Sequence, residues 1–242
     1  MRRELTILRA AINHDYAHGR ITRPVPVVLP QRGEAKDRWL TRIEAAALIR
    51  AARQDVRSRR HLVLFILMGL YTGARKEAIL SLRWPQVDLR RRLIDFNPPG
   101  RGRTSKGRPI IPIPQRLATF LRVARDRGGD LGPVIAYRGQ PVGNIKKAFH
   151  AACINAGMII GYRPGKAIKD GNVIEIQVPV TDVTPHTLRH TCASWMAQQG
   201  VPFPVIARYL GHSDSRTTET IYSHHASDYL VGAVEALDRR RR

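Results

Sequence analysis

Cysteine is nearly missing from this chain. Cys153 and Cys192 are its two examples, and neither has a Cys-x-x-Cys partner. A disulfide scaffold and a zinc ribbon are excluded on count. A reducing, cytoplasmic setting fits, with both thiols as small buried hydrophobes. Long apolar runs are missing too. The longest, LVLFILMGLY at 62–71, is too short to cross a bilayer and reads as a buried helix. No signal peptide and no lipidation signal is evident, so no membrane partner is expected. No Walker A loop and no internal repeat occurs, which leaves no sign of ATP-driven chemistry. Acidic residues are in deficit: 19 Asp plus Glu face 41 Lys plus Arg, a net charge of +22. Such a surface attracts polyanions, and nucleic acid becomes the leading partner.

What is present supports a folded protein. Of 242 residues, 43% are hydrophobic, enough for a real core. The opening RRELTILRAAINHDYAHGR sets Leu5, Leu8, Ile12 and Tyr16 near one helical face. RPVPVVLP at 23–30 then favours an extended connector, because proline cannot continue a helix. Thr41 looks like an N-cap with Glu44 at the capping-box position. Residues 1–36 therefore read as the end of one domain plus a linker, and a compact domain starts near Asp37. RRRLIDFNP and GRPIIPIP read as two short strands around a basic turn, PGRGRTSKG. Pro112 and Pro114 put the second strand at an edge or end it early. Helices are expected at 115–127 and 144–157. Asp170-Gly171, flanked by apolar residues, is a hairpin signal. Helices dominate and strands are short and clustered, so the class is α+β.

The stretch TPHTLRHTCASWM at 184–196 puts His186, Arg189 and His190 at the start of a helix. Thr184 can cap it, and Pro185 suits the first helical position. His186 and Arg189 share a face one turn from the N-terminus, where free N–H groups and the dipole favour an anion. Arginine adds a planar fork that matches two phosphate oxygens. The competing metal reading is weaker. His186 and His190 are four apart, but Thr187 stands where the zinc-protease motif has its glutamate. No metal and no cofactor is expected. A solvated basic helix end is the bland reading of this stretch alone.

Other phrases join it: TGAR with Arg75, the basic turn with Lys106, LGH with His212, and TTETIY with Tyr222. In this order the set resembles the tyrosine recombinase (phage integrase) family, from about Asp37 to the end. The resemblance implies a mainly helical catalytic domain with a small antiparallel sheet over 37–226. It makes 1–36 the end of a core-binding domain and 227–242 a C-terminal tail that docks in trans or on its own domain. It also implies site-specific cleavage and rejoining of DNA through a covalent 3′-phosphotyrosine. In that chemistry Arg75 and Arg189 contact the non-bridging oxygens. Tyr222 is the nucleophile, His186 assists proton transfer and His212 hydrogen-bonds the phosphate. Lys106 protonates the leaving 5′-oxygen, although Arg101, Arg103 and Arg108 flank it and a generic phosphate-binding loop is the other reading. The implied partners are double-stranded DNA, further copies of the chain in a tetrameric synapse, and accessory DNA-bending proteins. The implied setting is cytoplasmic and nucleoid-associated, bacterial or phage-encoded.

Two departures stand out. Many members carry an acid three places after the first arginine; here that place is Ala78, and the acid is Glu77. The step from His212 to Tyr222 is one residue longer than in many members. Two other functions fit the same chemistry or charge: a type IB topoisomerase-like enzyme, and a non-catalytic DNA-binding protein or decayed integrase fragment.

Overall fold

The structure, a computed structural model, describes residues 2–31, 38–97, 100, 109–169, 172–212 and 218–219. The chain divides into two compact units, Met1–Lys36 and Asp37–Arg242. In the first, α1 (Arg2–Ala17) forms where the apolar spacing predicts a helix, yet none of its residues is buried. No regular structure occurs at 24–31, as the prolines dictate.

In the second unit the N-terminus of α2 (Arg42–Gln54) is a capping box. The Glu44 amide donates to Thr41 Oγ1 at 3.2 Å, and the Thr41 amide donates to Glu44 Oε2 at 2.8 Å. Arg38 extends the box. It pairs with Glu44 at 2.5 Å and with Asp182 at 3.3 Å, tying the start of α2 to a distant segment. The hydrogen bond from Arg38 holds the Glu44 carboxyl below its ordinary value.

The apolar run at 62–71 lies within α3 (Arg59–Thr72), which is buried from Leu62 to Leu70 on every side, as a helix apolar all round must be. Glycine at position 69 lets another helix approach: a Cβ there would stand 2.6 Å from Leu188. α3 ends at Gly73, whose φ of +59° is left-handed. The short α4 (Lys76–Leu80) comes directly after, with Arg75 as its N-cap.

A small antiparallel sheet runs β1 (Val87–Asp88), β2 (Leu93–Asp95), β3 (Ile110–Pro112), in that spatial order. Ile94 pairs with Ile111 and both are buried, while their neighbours face outward. β3 lies at an edge, where its proline is tolerated. α5 (Gln115–Gly128) packs on α3. A tight hairpin of β4 (Ala136–Tyr137) and β5 (Gln140–Pro141) turns through Arg138 and Gly139, both at positive φ. α6 (Lys146–Asn155) packs on α2.

A long hairpin brackets the expected turn at Asp170-Gly171, and those two residues lie outside the described ones. β6 (Gly161–Lys169) pairs with β7 (Asn172–Val180) along their whole length. α7 (Pro185–Gln198) then packs on α3, and α8 (Phe203–Leu210) on α7. The main core joins α2, α3, the sheet, α5 and α6 around Phe65, Phe149, Ile94 and Trp84. The class is α+β, mainly helical with small antiparallel sheets, as expected. Among the described residues no helix is long and apolar enough to cross a membrane.

Candidate functional site

α7 starts where the sequence predicts, with Thr184 as N-cap and Pro185 at the first helical position. It is pinned from outside by its own polar side chains. Thr191 Oγ1 donates to the Thr187 carbonyl at 2.7 Å and accepts from the Leu40 amide at 2.9 Å. Trp195 Nε1 donates to the Leu40 carbonyl at 3.0 Å, and the Arg42 guanidinium lies 3.5 Å over the Trp195 ring. The site helix is therefore locked to the segment just before α2.

Arg189, one turn into α7, is 3% exposed. A buried guanidinium needs partners that offset lost hydration. Its Nη1 donates to the carbonyl of Gly73 at 2.7 Å and to that of Leu210 at 2.8 Å. Those carbonyls close the C-terminal ends of α3 and α8. Each end carries the negative pole of its helix, so a cation between them is favoured. Arg189 thus clamps the turn that leads into Arg75 to the turn that leads into His212. The approach is close: a Cβ on Gly73 would lie 2.3 Å from Leu210 Cδ2.

Arg75 is held by the short helix on its C-terminal side. Its carbonyl accepts from the amides of Ala78 at 2.8 Å and Ile79 at 3.1 Å, which starts α4 beside the site. Ala78, at the place where the resemblance leads to the expectation of an acid, is small and buried. Glu77 is held by Lys76 Nζ at 2.6 Å. His212 comes after the left-handed Gly211, and its Nδ1 lies 2.7 Å from the hydroxyl of the buried Thr218.

Four expected site residues, Arg75, His186, Arg189 and His212, act on one another electrostatically. Burial of the ring is the first cause that pushes His186 down to about 4, followed by the positive fields of His190, Arg189 and Arg75. The same cause, followed by Arg189, Arg75, His186 and His190, pushes His212 down to about 4. His186 keeps an exposed edge, and its ring meets His190 edge-to-face with centroids 4.7 Å apart. Both imidazoles are neutral at pH 7 in a positive surround. The complement of such a site is an anion that brings negative charge and accepts hydrogen bonds, such as a phosphodiester. Lys106 and Tyr222 lie outside the described residues.

Tyr209 is a packing residue: its hydroxyl donates to the Tyr71 carbonyl at 2.8 Å, and burial pushes its phenol up. Cys153 and Cys192 are buried, as expected of small hydrophobes. Sequence reasoning missed Thr191, Trp195 and Thr218. Only Thr218 had a signal, its place inside the TTETIY phrase. A cavity of about 700 Å³ lies at the other end of α3, lined by Arg57, His61, Phe120 and Tyr137 among others; none of the site residues lines it.

The family model described as the Phage integrase family matches residues 38–228. An integrase of Streptomyces ambofaciens is 28% identical over 186 residues, covering 65% of this chain and 43% of that protein. The tyrosine recombinase XerD of Lacticaseibacillus casei is 31% identical over 164 residues, covering 66% of this chain and 49% of that protein. The chain thus spans about half the length of these relatives. The same fold occurs in the Tn1549 transposon integrase in complex with transposon right end DNA. There the TM-score is 0.70 at 18% identity, covering 98% of this chain and 78% of that one.

Proposed function

The chain belongs to the phage integrase family, and from that premise we propose that it is the catalytic part of a site-specific DNA recombinase. The observation that carries the reading is the Arg189 clamp, which brings Arg75 and His212 to the start of α7 beside His186. Three of the phrases, those of Arg75, of His186 with Arg189 and of His212, lie close together, and the charges they bring are of the sign a phosphodiester needs.

In this reading Arg75 and Arg189 neutralise the non-bridging oxygens of the scissile phosphate. Tyr222 attacks phosphorus with its phenolic oxygen while its proton passes to His186. The P–O5′ bond breaks, a 3′-phosphotyrosine forms, and Lys106 gives the 5′-oxygen its proton. A 5′-hydroxyl from the partner strand then attacks, and the tyrosine leaves. His186 is unprotonated at pH 7, and the negative charge of a bound phosphodiester raises its proton affinity toward what a general base needs. One phosphodiester is conserved at each step, so no ATP is consumed. The partners are double-stranded DNA and further copies of the chain, a tetramer in the synapse, with accessory DNA-bending proteins. Residues 1–36 are the end of a core-binding domain and its linker, 37–226 the catalytic domain, and 227–242 a docking tail.

The test is covalent trapping with EDTA present. The chain is mixed with a pool of nicked duplexes randomised around the nick, and SDS-resistant adducts are recovered and sequenced. An adduct mapped to Tyr222, absent from Tyr222→Phe, supports the reading. DNA binding without any adduct, from this chain and from one extended by a complete core-binding domain, leaves a binding protein instead. Relaxation of supercoiled DNA without strand exchange between sites points to topoisomerase-like action.

A further inference from the structure

The contact between His212 and Thr218 carries an inference that rests on the recombinase reading. Nδ1 of His212 and Oγ1 of Thr218 are 2.7 Å apart, and Thr218 is fully buried. A hydroxyl can donate or accept, and the two choices give the imidazole opposite chemistry. If Nδ1 carries the hydrogen and donates to the threonine, Nε2 offers a lone pair. If the hydroxyl donates, the hydrogen sits on Nε2, and Nε2 becomes a donor. A phosphodiester oxygen only accepts, so a lone pair facing it is repelled. A doubly protonated ring would donate at both ends, but Arg75, Arg189, His186 and His190 all oppose a further positive charge there.

We propose that Thr218 is a positioning residue for His212: its hydroxyl donates to Nδ1 and fixes the hydrogen on Nε2, which then donates to a non-bridging oxygen of the scissile phosphate. The ring reaches the site already in the required tautomer, so at neutral pH no proton has to move on His212 when DNA binds. Thr218 also stands four positions before Tyr222 in the chain. The same bond therefore ties the phosphate-binding ring to the segment that carries the nucleophile.

The test uses the full chain labelled with ¹⁵N-histidine. Long-range ¹H–¹⁵N correlation at neutral pH reads which nitrogen of His212 is protonated, and the expected result is a protonated Nε2 and a bare Nδ1. Thr218→Val keeps the shape and removes the hydroxyl; Thr218→Ser keeps the hydroxyl. The valine variant should lose the single-tautomer signature and form adduct roughly 10- to 100-fold more slowly, with DNA affinity changed less than about twofold. The serine variant should restore both. A wild-type His212 protonated on Nδ1 overturns the proposal without any variant having to fold. So does a folded valine variant with unchanged tautomer and unchanged rate. If the tautomer responds as expected but no version of the chain forms adduct, the coupling stands and the recombinase reading falls.

Discussion

Arg189 donates to the carbonyl of Gly73 at 2.7 Å across 116 positions of sequence. The same nitrogen reaches Leu210, so a residue expected to serve chemistry also holds two helix ends together. Its removal leaves two buried carbonyls unpaired. Arg189→Ala should cost about 3 kcal/mol or more of unfolding free energy, since buried charged hydrogen bonds contribute about 1.5–3 kcal/mol each. Arg75→Ala, at a half-buried helix start, should cost about 1 kcal/mol. Both should abolish adduct formation. Urea titration separates them, and equal costs would contradict the clamp.

Gly73→Ala tests the close approach of α3 and α8. The new Cβ meets Leu210 at 2.3 Å in a left-handed backbone. Backbone strain of about 1 kcal/mol and overpacking of about 1–3 kcal/mol should add. Gly200→Ala is the control, because it closes α7 in the same kind of left-handed turn, with φ at +73°, but nothing lies within 4 Å of a Cβ there. It should show the strain alone. Thermal melts in which the two variants behave alike would refute the packing argument.

The two depressed histidines make stability and binding depend on pH in opposite directions. As pH falls below 6.5, an unfolded imidazole takes a proton, whereas folded His186 and His212 resist until about 4. Their contribution to stability is complete above 6.5 and is lost as pH falls toward 4. A bound phosphate raises both values, so DNA binding should take up protons within that window. Calorimetry in buffers of different ionisation heat reads this uptake. A His186→Gln/His212→Gln chain with the same uptake would disprove the assignment.

The cysteines offer a probe of opening. Burial pushes both thiols up to about 12, so neither carries a thiolate at neutral pH. Native protein should resist an alkylating reagent that labels the unfolded chain rapidly. Cys192 sits on α7 beside Gly73, so its labelling reports separation of α7 from the end of α3. Mass spectrometry should find that labelling slowed by bound DNA. Rapid modification of the native chain would contradict the burial.

Local signals in this sequence were legible and long-range ones were not. Thr41 with Glu44, the 62–71 helix, Thr184-Pro185 and the Asp170-Gly171 hairpin all rest on neighbours within a few positions. The order of Arg75, His186, Arg189 and His212 suggests the candidate site through resemblance. The way the site assembles was not legible. The bonds from Arg189 span 116 and 21 positions, and the Trp195–Leu40 bond spans 155. The β4–β5 hairpin was missed because an arginine occupies a left-handed turn position. β6 and β7 run beyond their signal because Gly161, Gly165, Pro164 and Pro179 hide strand character. Lys106 and Tyr222 rest on resemblance alone.

On the proposed function Arg189 serves both the phosphate and the fold, and that pairing bears on how such a chain ages in a genome. A lineage that stopped cutting DNA would still need its fold to bind it. Changes at Tyr222 or Arg75 would then accumulate at small cost to folding, while changes at Arg189 would be removed with the unfolded chains they produce. An intact Arg189 in a derelict copy is therefore a record of folding, and the first scars of lost activity belong at the other two positions.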